Sequence, residues 1–438
     1  MKRLYEAPAY GPQGACYWSD TVPPEPWPKA EGIQHCDVAV IGGGFTGVSA
    51  ALRLAEAGKS VCLFEAENAG YGASGRNGGF ACLGGSKASG SLLRRRYGDD
   101  GLRAWRETEK AAVSTVDRLI RTHDMAVDRH SEGETQLAHT PRAWATMQAS
   151  VNEVRADYDV EPILTSRTEL LQAGMGGPWY GALTIPIGFA LDPRKYHAGL
   201  ARAARAAGAR LFGHSPITQI ARQKGLWRLS TPREQLTAES VLIATNGYSS
   251  EDVPDWLRAR TLPVQSSVIV TRPLTAAERD AQGWRSGQMA YDTRQLLHYF
   301  RLMPNGRFLF GMRGGLRATP RASARTRARI HADFAKLFPA WRDVEITHHW
   351  SGLVCLMAGL TPFAGAVPNT SGLYAALGYH GNGVAMASHA GKLIADEILG
   401  RTPDIPEAMR RPPGRFPFGR FRRALLAPAY WGAELFDL

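Results

Sequence analysis

Residues 36–67 read CDVAVIGGGFTGVSAALRLAEAGKSVCLFEAE, and this stretch decides the fold. Val38, Val40 and Ile41 form a short apolar run suited to a buried parallel strand. From Val48 to Ala57 the apolar positions fall at helical spacing, and Gly58 ends the helix. Ser60 to Phe64 is a second strand, which completes a β-α-β unit. Between the first strand and the helix stands Gly42-Gly43-Gly44-Phe45-Thr46-Gly47, a G-x-G-x-x-G. Gly42 permits the tight turn, Gly44 lets the backbone approach a pyrophosphate, and Gly47 lets helix and strand pack closely. The helix N-terminus adds N–H groups and partial positive charge for the phosphates. Glu65, ending the second strand, can accept bonds from ribose hydroxyls and would repel a 2′-phosphate. The unit predicts a bound dinucleotide.

A second glycine run, Gly70-Tyr71-Gly72-Ala73-Ser74-Gly75-Arg76-Asn77-Gly78-Gly79, follows soon after Glu65. Its small residues let a flat ring system lie against the backbone, where a nicotinamide enzyme would enter another plain β-α-β unit. Farther on come ALDPRKYHAGLARAARAAGARLF, LIATNGY and the late glycine loop GYHGNGV.

Taken in order, these segments resemble the FAD-dependent amine and amino-acid oxidoreductases of the D-amino-acid-oxidase class over residues 30–400. Within that class the chain is most similar to γ-glutamylputrescine oxidase and the glycine/sarcosine oxidase-like enzymes. The resemblance implies that Gly42, Gly44, Phe45, Thr46, Gly47 and Glu65 hold the ADP half of FAD. It sets Ala73, Ser74, Arg76, Asn77, Gly78 and Gly79 beside the ribityl chain and flavin, and the Ile217 backbone at adenine. Thr245, Asn246 and Gly247 return the chain to the cofactor, and Gly381, Asn382, Gly383 and Val384 face the flavin edge where negative charge builds on reduction.

The departures from the family pattern set further expectations. Many relatives read G-x-S-G-H-G in the last loop, whereas His380 stands two places earlier here, as an active-site group or a structural histidine. Sarcosine oxidases grip a substrate carboxylate with a lysine after this loop, but Ala385 occupies that place. The strand-like stretch 295–317 also lacks the lysine that they hold above the flavin, and Arg301 and Arg313 are the strong cations of its interior. Either arginine is a carboxylate clamp, a solvated strand residue or an internal ion-pair partner. Cys355 lies upstream of Thr361-Pro362, as in relatives that bind flavin covalently, but the spacing and neighbours differ, so it reads as a buried inert thiol and the FAD as non-covalent.

Composition bounds the rest. The chain has 438 residues, 44% of them hydrophobic, enough for two or three domains, with no low-complexity tract. Its five cysteines, Cys16, Cys36, Cys62, Cys82 and Cys355, include no CxxC pair, which argues against a disulfide framework or a zinc site. The net charge of +12 is dispersed and carries no nucleic-acid-binding pattern, so an anionic cofactor accounts for it. No apolar run of membrane-spanning length or secretory h-region is present, which predicts a cytoplasmic protein.

The expected fold class is α/β: a Rossmann-like FAD-binding domain (35–90, 186–255, 345–400) interleaved with a strand-rich α+β substrate domain (91–185, 256–344). Residues 1–34 read as an extended arm, and 401–438 as a basic aromatic tail that lies on a membrane, its own domain or a second subunit. The expected function is oxidation of a primary or secondary amine or amino acid by hydride transfer to FAD, with oxygen or another electron acceptor. One rival is an α-hydroxy-acid dehydrogenase, with His380 or His298 as its base; the other is a non-catalytic flavin-binding protein.

Overall fold

The computed structural model describes residues 1–11, 16–32 and 35–437; residues 12–15 and 33–34 of the arm and 438 of the tail lie outside it. The described residues form two eight-stranded sheets and one two-stranded ribbon. In the first sheet, Leu373–Leu377, Gln235–Ile243, His35–Ile41, Val61–Phe64 and Arg210–Phe212 run parallel in that spatial order. Val38, Val40 and Ile41 are buried, as a strand covered on both faces requires. Helices Phe45–Glu56, Pro193–Ala206 and Gly383–Ile398 pack together on this sheet, their apolar sides joined in one core cluster. The α/β fold class read from the sequence holds.

Two boundaries in this layer have local causes. The first helix begins at Phe45 rather than Val48, because extended Gly44 (φ −84°, ψ −174°) ends the turn directly beneath it. Helix Pro193–Ala206 is started by Asp192, whose side chain accepts Arg194 N and Lys195 N at 2.8 and 3.0 Å.

The second sheet orders Ile346–Met357, Thr261–Pro273, Arg307–Arg313, His298–Leu302, Ala290–Asp292, Glu134–Leu137, Gly181–Ile185 and Ile163–Ser166. A hairpin turn through Pro304-Asn305-Gly306 joins two of these strands, with Gly306 at φ +77°. Helix Pro320–Leu337 buries Ile330, Phe334 and Leu337 in an aromatic cluster with Phe300, Phe308 and Phe310. Residues 97–155, rich in Ala, Arg and Leu at helix-like spacing, do not form one continuous helix. Helix Gly90–Thr122 contains a non-helical Gly98, and strand Glu134–Leu137 precedes helix Pro141–Tyr158.

Both chain ends are tied down. Trp18 donates Nε1–H to Asn77 O at 2.8 Å, and Tyr71 donates to Tyr10 O at 2.7 Å, so the arm clasps the second glycine run. In the tail, buried Arg422 donates to Thr261 O at 2.7 Å and pairs with Glu251, while Phe418, Phe421 and Trp431 stay exposed. No helix of the described residues is long and apolar enough to cross a membrane.

Candidate active site

The first glycine turn is closed from inside. Gly42 has φ +109°, and a Cβ there would come 2.7 Å from Ala244 O; a Cβ on Gly47 would collide with Gly42 O. Gly47 therefore packs the helix on the strand and does not reach the cavity wall. Gly44 is different: a Cβ would meet only Ser74 Oγ, at 2.9 Å. Ser74 Oγ also accepts Phe45 N at 2.9 Å, which fastens the second glycine run to the start of the helix. Glu65 is held by backbone donors, Gly43 N to Oε2 at 2.8 Å and Glu67 N to Oε1 at 3.0 Å, and burial raises its carboxyl above the usual range. His197, lowered to about 4 by burial, donates Nε2–H to Gly43 O at 2.6 Å and stacks on Trp27 of the arm.

The second run is braced by its own polar groups. Asn77 donates to Ala73 O and Ser74 O and accepts Gly79 N at 2.7 Å. Arg76 donates to Tyr71 O at 2.7 Å and lies over the Tyr71 ring. A Cβ on Gly79 would strike Leu191 O, so Gly79 too is a packing residue. Gly247 is a third: its Cβ would lie 3.0 Å from Leu353 O, away from the cavity.

A cavity of about 480 Å³ is lined by Gly42, Gly44, Phe45, Thr46, Glu65, Ala73, Ser74, Arg76, Asn77, Gly78, Ile217, Thr245 and Asn246. The late loop contributes Gly381, Asn382, Gly383 and Val384 to the same cavity. Asn382 donates to Leu83 O at 2.7 Å and Asn246 accepts Gly378 N at 2.9 Å, fixing that loop against both glycine runs. Thr46 and Tyr379 share a hydrogen bond at 2.7 Å beneath it. Backbone turns, a helix start and a buried carboxyl on one continuous wall suit an extended dinucleotide.

Of the three catalytic candidates, the structure brings only Arg313 to this cavity. Its guanidinium would lie 2.7 Å from a Cβ on Gly381, burial lowers its pKa, and no ion-pair partner faces it among the described residues. Arg301 is a correction: it is 1% exposed, donates to Leu191 O at 2.8 Å and His130 Nε2 at 3.1 Å, and lies over Trp18. It props the second glycine run from behind. Arg301→Met should lower stability by about 1–3 kcal/mol by orphaning Leu191 O, with substrate preference unchanged, as thermal unfolding and a substrate panel would read. His380 is a correction as well. Its N–H is bound to Cys355 O at 3.1 Å, its ring is buried off the cavity wall with neither nitrogen partnered, and burial, then Lys87 and Arg313, lower it to about 3. His298, the rival's other base, is held between Asp292 (2.8 Å) and Asp333 (3.3 Å) and also lies off the wall.

Two groups at the wall escape a sequence reading. Lys87, exposed to solvent at the wall, sits beside Arg313, whose charge lowers it toward about 7. It comes from the loop before helix Gly90–Thr122, far in sequence from the 295–317 stretch. Glu134, the first residue of its strand, is the other. Its only local signal is a charged residue entering an alternating ETQL strand.

Comparison with known proteins agrees with this geometry. Residues 37–397 match the family described as FAD dependent oxidoreductase (DAO). The chain is 30% identical to the protein named "Probable oxidoreductase OrdL" of Rhizobium meliloti, over 94% of this chain and 95% of that protein. It is 29% identical to the gamma-glutamylputrescine oxidoreductase of Escherichia coli, over 89% of each. The solved glycine oxidase of Geobacillus kaustophilus shares the fold, with a TM-score of 0.70 at 20% identity over 84% of this chain and 96% of that one. A glycine cradle, a buried carboxyl and a cation on one cavity wall, with a family match across most of the chain, make one assignment: the chain belongs to the FAD dependent oxidoreductase (DAO) family.

Proposed function

We propose that the protein oxidises a primary or secondary amine or amino acid, giving an imine that water hydrolyses, with oxygen as the electron acceptor. The observation that carries this reading is Arg313, a half-buried cation with no ion-pair partner among the described residues, beside the Gly381–Gly383 loop in the cavity that also contains the dinucleotide cradle. FAD, when bound, supplies the hydride acceptor. In this reading Gly44 admits the pyrophosphate to the backbone, Glu65 receives the ribose, and the late loop contributes N–H groups at the flavin edge. Arg313 orients a substrate carboxylate with two parallel bonds, which fixes the α-carbon relative to the cofactor. No paired-carboxylate or nucleophilic triad is required, because an unprotonated amine has the lone pair that drives hydride loss.

The reading is tested by product analysis across amines, amino acids and α-hydroxy acids. A carbonyl product with stoichiometric ammonia or released amine supports it, and hydrogen peroxide identifies oxygen as acceptor. Turnover of hydroxy acids alone would contradict it.

Cys355 lies on the same wall, but burial raises its thiol to about 12, so it stays protonated and a poor nucleophile. Acid denaturation should therefore release all the flavin into the supernatant. Yellow colour in the pellet, lost in Cys355→Ala, would show a covalent link instead.

A further inference from the structure

The cavity contains a carboxyl that the reading above leaves without a task. Glu134 is 5% exposed and shares a strand face with Gln136, both at the cavity wall. Its Oε1 accepts the Tyr291 hydroxyl at 2.8 Å and its Oε2 accepts Leu83 N at 2.9 Å. No lysine, arginine or histidine pairs with it among the described residues, whereas the buried Glu109 is held by Arg106 at 3.0 Å. A buried carboxylate without a counter-charge is costly, yet each of its oxygens keeps a lone pair for another donor. Arg313 presents the opposite case in the same cavity, a cation without an anion. A zwitterion would satisfy both.

We propose that Glu134 receives the substrate's ammonium group and takes its proton, with Tyr291 positioning the carboxylate, so that the preferred substrates are amino acids or N-alkyl amino acids rather than plain amines. The inference rests on the amine-oxidation reading. In the step, one N–H bond of the ammonium breaks and its electron pair stays on nitrogen. The proton forms an O–H bond on Glu134, leaving a neutral amine and a neutral acid. Charge is conserved and no co-reactant is consumed.

Burial raises Glu134 to about 7, against the bonds from Tyr291 and Leu83 that favour the carboxylate. The groups acting on it are Tyr291, the Cys82 thiol and Glu109, with Tyr158 and Arg106 bound to Glu109 and Arg313 acting on Cys82. Tyr291 and Cys82 are both raised well above their usual values and stay protonated. The carboxylate is the required form, so kcat/KM should rise as pH climbs through about 7. Lys87 titrates in the same range with the opposite effect on anion binding, so the wild type must be read against a variant.

Glu134→Gln suits the purpose. Its amide oxygen can still accept Leu83 N while its NH2 donates to the Tyr291 hydroxyl, so the wall stays bonded. The probes are the amine or amino acid that bleaches the wild-type flavin fastest and the N-acetyl derivative of that compound, a non-basic competitor. The expected result in FAD-loaded Glu134→Gln is a roughly 100-fold fall in kcat/KM near pH 7 and loss of the rise through that pH. N-acetyl binding, followed by flavin absorbance, should be unchanged, and Glu134→Asp should recover part of the activity. An unchanged pH profile in Glu134→Gln, or equal weakening of both probes, overturns the role of Glu134 while amine oxidation stands. A wild-type flavin that no amine or amino acid bleaches overturns both readings.

Discussion

Gly44→Val should give a folded protein that purifies almost free of FAD. The three motif glycines respond differently because different atoms surround them. A Cβ on Gly42 or Gly47 would run into backbone, Ala244 O in one case and Gly42 O in the other, so those substitutions damage the fold itself. At Gly44 the obstruction is the Ser74 hydroxyl, a movable side-chain group whose displacement loses only its bond from Phe45 N, so the scaffold survives the change. The valine instead fills the space through which a pyrophosphate would approach the helix N-terminus. Losing even two charge-assisted bonds there costs about 3 kcal/mol, or roughly 100-fold in FAD affinity. Flavin absorbance per chain should collapse with little change in the Tm of the apoprotein. Full flavin occupancy in Gly44→Val would remove the turn from the cofactor site.

Arg313→Met should lower kcat/KM for a carboxylate-bearing substrate by roughly 10- to 150-fold, about 1.5–3 kcal/mol, and spare its uncharged analogue. Methionine retains much of the apolar stem and removes only the planar fork that meets a carboxylate in two parallel bonds. Arg313 has no ion pair to lose among the described residues, so the variant leaves no orphaned partner and stability should change little. Arg301→Met is the internal control, since its guanidinium is engaged with Leu191 O and His130 behind the glycine run. A loss shared equally by charged and uncharged substrates would reject Arg313 as the clamp.

The glycine-turn side of the cavity wall was legible in the sequence because its determinants are local. Strand, turn, helix and Glu65 fall within 32 consecutive residues, and backbone geometry leaves little choice at Gly42 or Gly47. Even so, three cofactor assignments, Gly47, Gly79 and Gly247, concern packing, because glycine serves equally where a chain must pass close to another chain segment. The rest of the cavity wall was barely legible. Lys87, Glu134, Tyr291 and Arg313 come from four separated segments, and only the second sheet and the loop beside it bring them to one wall. Sequence alone could not separate Arg301 from Arg313. The two stand on adjacent strands, yet one is bonded to Leu191 O and His130 and the other lines the cavity. His380 misled for a similar reason: its place in a glycine loop suggested chemistry, but its backbone bond to Cys355 sets it in the interior.

Anaerobic titration of the FAD-loaded protein with a matched set of amino acids, amines and α-hydroxy acids tests amine oxidation most directly. Oxygen is absent, so reduction appears as loss of the yellow absorbance whatever the natural acceptor. At least one amino acid or amine should bleach the flavin, fastest for a zwitterion, and the corresponding hydroxy acids should not. A flavin that stays oxidised throughout, or that only hydroxy acids bleach, would contradict it.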